Sequence, residues 1–180
     1  MSGKREAPKS ERKAKGIRTF GVEEGIGMTE SEARKFLVES RFVAKLGTVD
    51  HNGDPNIHPV WYLFDPKSSK LYVFTEKTMR KFRNIKRKHR IYFDVDDVVW
   101  PYRGVKGKGI ARAVRGEKDT VMLVDKILTK YIKKRNHPIF SGHLDGARKG
   151  EYVVIEITPM YFSTWDYGKL PLQYRVAALK

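Results

Sequence analysis

Cations follow directly after a short apolar run in the segment KLYVFTEKTMRKFRNIKRKHR, from Lys70 to Arg90. The β-branched and aromatic residues at its start predict a strand, and the cationic stretch behind them predicts a helix. A helix N-terminus carries unpaired N–H groups and a partial positive charge, so it attracts anions. The hydroxyls of Thr75 and Thr78 (possible N-caps) stand at this junction with Lys77 and Lys81, which indicates a phosphate-binding site. The alternative is a solvated basic helix face.

A second candidate is the sequence HPVWY, which begins at His58 within a predicted strand. Pro59 has no backbone N–H, so a strand tolerates it mainly at an edge or a bulge. A bulged strand presents backbone polar groups to a ligand instead of a neighbouring strand. The alternative is an edge strand whose Trp61 fills the core. The same two interpretations, a flat ligand-binding face or core packing, apply to TWDYGK around Trp165.

Several common catalytic and metal sites are not indicated. The chain has no cysteine and no HxxxH pair on one helix, and His137 and His143 fall in a predicted loop, so no metal site is predicted. No Ser-His-Asp or Cys-His arrangement is suggested, and GxSxG is absent. The glycines between Gly104 and Gly109 lack the GxxxxGK[ST] pattern of a Walker loop. They predict a curved strand or room for a flat ligand.

Composition restricts the class of protein and its partners. The 180 residues include 37 Lys and Arg against 21 Asp and Glu, a formal net charge of +16. Such a charge favours phosphates, nucleic acid or an acidic partner without choosing among them. No apolar run approaches the ~20 residues of a membrane-spanning helix. The sequence shows no signal-peptide h-region, so we expect a cytoplasmic protein.

Three regions are predicted along the chain. Residues 1–27 form a basic leader that we expect to be disordered, residues 28–169 form one folded domain, and residues 170–180 form a C-terminal tail. The domain is predicted to contain the helix Thr29–Ser40 with a Thr29/Glu32 capping box; the strands Phe42–Val49, Pro55–Phe64 and Leu71–Thr75; the basic helix; the strands Arg90–Val95 and Val105–Val114; the helix Glu117–Lys134; and a final strand or strand pair, Tyr152–Ile157 and Met160–Trp165.

The order of these elements predicts the fold class. Asn52-Gly53 is typical of a tight hairpin, so the first three strands are predicted to form an antiparallel meander. About six strands with two or three helices indicate a mainly β protein with α-helices (α+β). Its predicted architecture is a closed or nearly closed antiparallel barrel with flanking helices.

Together these segments resemble the pyridoxamine 5′-phosphate oxidase-related superfamily of flavin-binding split β-barrels. The resemblance covers roughly Thr29 to Lys169 and rests on the order of parts. A leading helix precedes FVAKLGTVDHNGDPNIHPVWYLFD, which is followed by LYVFTEKTMRKFRNIKRKHRIYFDVDD, a glycine-containing strand, a long helix and a closing strand with TWDYGK. No single segment identifies the superfamily, but the combination is fairly specific to it.

The resemblance implies a homodimer of six-stranded barrels with two cofactor sites at the subunit interface. The hairpin strand would lie along the flavin ring, the strand-to-helix junction would hold the phosphate, and a closing-strand aromatic would approach from the partner chain. Carried over to this sequence, the implied cofactor-binding residues are His58, Pro59, Val60 and Trp61 for the ring; Thr75, Thr78, Lys81 and, as a further candidate, Lys77 for the phosphate; Asn84 one helical turn beyond Lys81; Trp165 from the partner; and Lys106 beside the ring.

The implied activity is hydride or electron transfer on bound FMN, with an unknown small-molecule substrate and no residue identified as a catalytic acid or base. Arg175 stands alone where true pyridoxamine phosphate oxidases carry an Arg/His motif, which argues against that particular activity. Relatives of this superfamily also use the deazaflavin F420, bind haem or act as flavin reductases. A different class of function is a non-enzymatic, non-specific nucleic-acid binder, suggested by the charge and the basic leader.

Overall fold

The computed structural model describes residues 16–21 and 25–177, which contain eight strands and five α-helices. In chain order these are β1 (Arg18–Phe20), α1 (Glu30–Glu39), β2 (Ala44–Val49), β3 (Pro55–Val60), β4 (Tyr62–Asp65), β5 (Lys70–Glu76), α2 (Arg80–Arg87), β6 (Arg90–Asp96), β7 (Arg103–Ala113), α3 (Glu117–Tyr131), α4 (Pro138–Arg148), β8 (Tyr152–Asp166) and α5 (Leu172–Ala177). A short 3₁₀ helix, Tyr167–Lys169, follows β8.

One sheet contains all eight strands, in the order β3-β2-β6-β7-β8-β5-β4, with β1 added in parallel beside β8. All other pairings are antiparallel. The two ends of this order, β3 and β4, are consecutive in sequence and are separated only by Trp61. The chain itself therefore joins the two ends of the sheet, and the strands enclose a split barrel. The predicted α+β barrel class is confirmed.

The number of strands differs from the predicted six. The single strand predicted at Pro55–Phe64 divides at Trp61, so its first half pairs with β2 and its second half pairs with β5. The predicted final pair is instead one strand, β8, whose pairing with β7 shifts by one residue at Met160, beside Pro159. A bulge therefore accommodates the proline without ending the strand.

The first helix confirms its predicted capping box. Thr29 accepts a hydrogen bond from the Glu32 N–H, and the Glu32 carboxylate accepts one from the Thr29 N–H at 2.7 Å. Lys169 also donates to Glu32 at 2.8 Å, and this contact is the leading cause of a Glu32 pKa lowered to about 2. The capping box thus links α1 to the end of β8.

The second half of the domain contains a helix that the sequence did not indicate. Residues Pro138–Arg148 form α4, so the prediction of a loop was wrong for His143, whereas His137 lies in the segment before the helix. His137 is the N-cap of α4 and accepts from the Ile139 N–H, while His143 lies inside the helix. The basic helix also begins later than expected, at Arg80, with Met79 as its N-cap and no side-chain cap bond. Thr78 therefore does not cap it.

The predicted leader and the predicted tail each contain residues that form a helix or strand in the structure. Residues 1–15 and 22–24 of the leader lie outside the described residues, but Arg18–Phe20 belong to the sheet, so the folded part extends before residue 28. Residues 172–177 of the predicted tail form α5. Across residues 16–21 and 25–177, no helix has the length and apolar character needed to cross a membrane.

Two clusters of buried apolar side chains hold the sheet and the helices together. The barrel interior is filled by side chains from facing strands and α1, including Leu46, Phe93, Ile155 and Phe162. A second cluster lies outside the barrel, where α3 and α4 cover part of the sheet with Leu128, Phe140 and Leu144. Trp61 and Phe74 pack against this second cluster, so the point where the barrel divides is also where the helical layer meets the sheet.

Candidate functional site

A small cavity lies at the division between β3 and β4. It has a volume of about 240 Å³ and is lined by Val43, Pro59, Val60, Trp61, Phe74, Lys81 and His143. Four of these residues, Pro59, Val60, Trp61 and Lys81, belong to the set predicted to bind a cofactor. The structure therefore brings the hairpin strand and the basic helix to one place, although they are separated in sequence by the β4–β5 hairpin.

Lys81 supplies a cation to this cavity. It lies in the first turn of α2 and is half-buried, and burial lowers the pKa of its ammonium group although the Glu76 carboxylate acts in the opposite direction. Glu76 offsets only part of the cost of burying this charge, because the pKa remains lowered, and a bound anion would relieve the remainder. The site can therefore hold a phosphate through a charge-assisted contact.

His58 is connected to α2 by hydrogen bonds. Its Nε2 lies 3.1 Å from the Thr48 hydroxyl, and that hydroxyl accepts from Asn84 Nδ2 at 2.9 Å. Because the hydroxyl oxygen already accepts from Asn84, its proton is available for Nε2, which favours a neutral imidazole. Burial is the main cause of a lowered His58 pKa, and the charges of Lys81 and Arg80 lower it further.

Trp61 is both a packing residue and part of the cavity wall, so the two sequence interpretations are not exclusive. Its ring stacks on Tyr131, with centroids 5.2 Å apart and an angle of 10° between the planes. His143 meets Trp61 and Phe74 edge-on, at 6.1 Å and 5.5 Å between centroids. Nδ1 of His143 lies 2.8 Å from the Tyr152 hydroxyl, which fixes the orientation of the imidazole. The aromatic wall is therefore rigid.

Three predicted phosphate residues do not line this cavity. Thr75 is buried in β5, opposite Val153 of β8, and Thr78 is exposed in the turn before α2. Lys77 lines a different cavity of about 200 Å³, beside Gly150 and Tyr152, and its backbone N–H donates to the Glu151 carbonyl. Within one chain, Lys81 is the member of this predicted phosphate group that reaches Trp61.

Lys106 and Trp165 form a separate group on β7 and β8. The Lys106 ammonium lies 5.9 Å from the centre of the Trp165 ring, and Gly104 leaves the space that this ring occupies. Cross-strand register places Lys106 in one row with Asp94, Lys45 and Pro59. At ~4.8 Å per strand, Lys106 is about 14 Å from Pro59 across the same face of the sheet. One chain does not bring these two groups together.

Sequence reasoning missed several residues at the cavity. Arg80 adds positive charge at His58, and Val43, Phe74 and His143 form part of the wall. Arg80 and Phe74 stand in the motif that defined the basic helix and could have been included on spacing alone. His143 could not, because its helix was not recognised. Among the described residues, no group of three or more His, Asp or Glu side chains is arranged to bind a metal ion.

Comparison with known families agrees with this geometry. A family model described as pyridoxamine 5′-phosphate oxidase matches residues 29–166, most of the chain. The chain belongs to the pyridoxamine 5′-phosphate oxidase family. The matched region begins at the N-cap of α1 and ends with β8, so it includes the whole cavity and the Lys106–Trp165 pair. No curated protein sequence matches this chain.

Solved structures share the fold. A conserved hypothetical protein from Mycobacterium tuberculosis is 23% identical, with a TM-score of 0.69, and the alignment covers 82% of this chain and 91% of that one. A structure titled F420 reductase is 25% identical, with a TM-score of 0.58 and coverage of 72% and 94%. An FAD-binding protein from Mesorhizobium loti is 18% identical, with a TM-score of 0.55 and coverage of 75% and 92%. The alignments span most of each chain.

Proposed function

We propose that this protein is an FMN-dependent oxidoreductase that acts on a small molecule. The observation that carries the proposal is the cavity that is lined both by Lys81 and by Pro59, Val60 and Trp61. The cation fits a phosphate, and the strand beside it fits the edge of a flat ring. Family membership, shown by the match over residues 29–166, supports the same ligand class.

The size of the cavity supports a site shared between two subunits. About 240 Å³ is less than the ~300–1,000 Å³ typical of a complete small-molecule pocket. One chain would therefore enclose only part of a flavin. A second copy could cover the remainder with its Lys106 and Trp165, which lie about 14 Å from Pro59 within their own chain. We accordingly propose a homodimer with the cofactor at its interface.

Bound flavin would supply the hydride or electron transfer itself. The residues of this chain would hold and orient it. Lys81, assisted by Arg80, would neutralise the phosphate, and His58, as a neutral imidazole, would contribute no charge of its own. The Trp61 wall, fixed by Tyr131 and His143, would exclude water from one side of the ring. No side chain is assigned as a catalytic acid or base, and the substrate is not assigned.

The absorption spectrum of the purified protein tests this proposal. We expect a yellow protein whose flavin band is released on denaturation and regained when FMN is added to the apoprotein. A colourless protein that does not take up added FMN would overturn it. Protein from the native source is the better sample, because a recombinant host can lack the correct cofactor.

A second candidate is an F420-dependent reductase. The observation that favours it is the 25% identity to a structure titled F420 reductase, over 72% of this chain. The cavity does not separate the two cofactors, because both carry a phosphate and a tricyclic ring. Competition between FMN and F420 for the apoprotein decides, and preferential binding of F420 would replace the first assignment by the second.

A further inference from the structure

Two basic grooves flank α2 beside the cofactor cavity, and the first of them is also lined by Arg80 and Asn84. The first has a volume of about 660 Å³ and includes Arg83 and Arg87, and the second has a volume of about 830 Å³ and includes Arg112 and Arg115. Lys86 lines both grooves. Arg83 and Arg87 are four residues apart and therefore lie on one side of the helix, with the second groove on the other side. The two grooves meet over the exposed ridge at Lys86.

The cations of these grooves have no acidic partners within the described part of the chain. The eight ion pairs found there involve Arg34, Lys45, Lys70, Arg103, Arg135, Arg148 and Lys169, and none involves an arginine of either groove. Concentrating unpaired like charges opposes folding through mutual repulsion. A surface of this kind is explained by an anionic ligand that neutralises it.

Both acidic residues at the groove walls are already engaged elsewhere. Asp50 accepts hydrogen bonds from the N–H groups of Asn52 and Asp54, at 2.9 Å and 3.1 Å, within its own hairpin turn. Glu156 accepts from the Lys70 ammonium at 2.8 Å and from the Tyr72 hydroxyl at 3.4 Å. Both carboxylates keep their charge, but three arginines stand against Asp50 in the first groove and two against Glu156 in the second, with Lys86 in both, so each groove remains positive.

We propose that these two grooves bind the phosphodiester backbone of single-stranded nucleic acid. Arginine predominates over lysine in both grooves, and its planar guanidinium forms paired hydrogen bonds with phosphate oxygens. A ligand that fills both grooves must bend around α2 at Lys86, which a flexible single strand can do and a stiff duplex cannot. The contacts are to phosphates, so binding is independent of base sequence. This activity is separate from the proposed flavin chemistry.

Fluorescence anisotropy with labelled single-stranded DNA and RNA tests the proposal on the full-length chain. The variant carries Arg83→Gln, Arg87→Gln, Arg112→Gln and Arg115→Gln, and it leaves Arg80 and Lys81 unchanged. We expect at least about a tenfold loss of affinity at low salt. The slope of log K against log salt should also become less steep by about 0.7 for each phosphate contact removed.

The matched control removes the same charge from exposed positions that line neither groove, with Lys126→Gln, Lys133→Gln, Lys134→Gln and Lys149→Gln. We expect this control to bind nearly as the parent does, and both variants to keep the parent thermal transition and FMN uptake. Equal losses in the two variants would show that only net charge matters and would overturn the proposal.

Two further outcomes would also overturn it. One is displacement of the labelled strand by an oligoglutamate of equal charge as effectively as by unlabelled strand, which would make the grooves a site for acidic peptides. The other is tighter binding of duplex than of single strand. Because FMN uptake is measured on the same samples, failure of the nucleic-acid proposal is distinguishable from failure of the flavin proposal.

Discussion

The ammonium of Lys81 and the imidazole of His58 lie in one corner of the protein, and the field of Lys81 disfavours protonation of His58. Burial lowers the pKa of both groups, which means that the surroundings of Lys81 and His58 disfavour their protonated forms. A bound phosphate would reverse the balance by restoring a counterion. We therefore expect the affinity of this site for anions to depend on a few residues and not on the overall charge of +16.

Replacing Lys81 by alanine tests the position of the phosphate. Loss of one charge-assisted contact is worth roughly 1.5–3 kcal/mol, so we expect the Kd for FMN to rise by about ten- to a hundredfold. Lys77→Ala is the matched comparison, because Lys77 is close in sequence but lines another cavity. Fluorescence titration of apoprotein with FMN gives both values. An unchanged Kd for Lys81→Ala would show that the phosphate binds elsewhere.

There is a physical reason why only some of the residues predicted to bind the cofactor line one cavity. Lys77 and Lys81 are four residues apart and would share one helix face if the helix began before Lys77, with Thr75 as its N-cap. The helix begins instead at Arg80, so Lys77 remains in the preceding turn and reaches a different cavity. Residue types could identify the cations and Trp61, but only the position of the first helical turn decides which cations face the cavity.

Lys130 gives a test of electrostatics away from the site. Its ammonium lies 3.6 Å from the centre of the Tyr62 ring and donates to the Leu37 carbonyl at 3.1 Å. Burial lowers its pKa to about 7, with a smaller effect of Arg41 in the same direction. An unfolded lysine has a pKa of about 10.4, so between these values the unfolded chain binds more protons and stability rises with pH.

We therefore expect Lys130→Met to flatten the dependence of stability on pH between about 7 and 10. Urea unfolding at several pH values across this window measures the effect, and Lys126→Met, at an exposed position of the same helix, is the control. The control should keep the parent slope. Parallel curves for Lys130→Met and the parent would contradict the assignment of a neutral, buried amine.

Helices and strands were predicted well where the apolar residues of a segment follow a single periodicity, either that of a strand or that of a helix. The alternation of the strands and the apolar face of α3 agree with the structure to within a few residues. Helix α4 was missed because Gly142 and Gly146 reduce its helix propensity, and its stability comes from packing of Phe140 and Leu144 that no local pattern reveals. The division of the predicted strand Pro55–Phe64 at Trp61 was also missed. Local sequence does not show that its two halves pair with different strands, β2 and β5.

Two glycines, one in a crowded strand and one in an open part of a helix, test how packing and helix propensity contribute to stability. A Cβ at Gly107 in β7 would lie 2.7 Å from Phe93 Cζ and closer still to the Tyr161 carbonyl oxygen, whereas one at Gly142 in α4 meets nothing within 4 Å. We expect Gly107→Ala to destabilise the protein by about 1–3 kcal/mol and Gly142→Ala to stabilise it by roughly 0.5–1 kcal/mol. Denaturant unfolding measures both, and shifts of the same sign would contradict the account.

At the scale of the whole molecule, one face of the sheet carries exposed apolar side chains. Cross-strand register places Ile57, Tyr92 and Tyr161 in one row, with Lys108 between the two tyrosines, and Ile57 is 74% and Tyr92 55% exposed. Gly47 lies between Ile57 and Tyr92 in that row, which leaves the surface low between the two side chains. Exposed apolar patches of this kind mark protein contacts. This face is the one we expect a second copy to cover.

Ile57→Glu combined with Tyr92→Glu should convert the proposed dimer into a monomer, since association would bury two carboxylates. Light scattering after size-exclusion chromatography measures the mass. FMN binding should weaken together with dimerisation, because Lys106 and Trp165 of a second copy would be lost. Met122→Glu, at an exposed position on α3, should change neither property. A double variant that stays dimeric would place the interface on another surface.

The two ends of the sheet, β3 and β4, are joined by the chain at Trp61, and this has a consequence for local opening of the barrel wall. Within the described residues, no backbone ladder joins β3 to β4, so the wall can widen there without loss of an interstrand hydrogen bond. The cavity is lined by Pro59 and Val60 of β3 on one side of this gap and, across it, by Phe74 of β5, the strand that pairs with β4. An occupant would tether the two margins, and amide hydrogen exchange in β3 and β4 should then slow in concert, reporting occupancy even in a colourless, redox-silent complex.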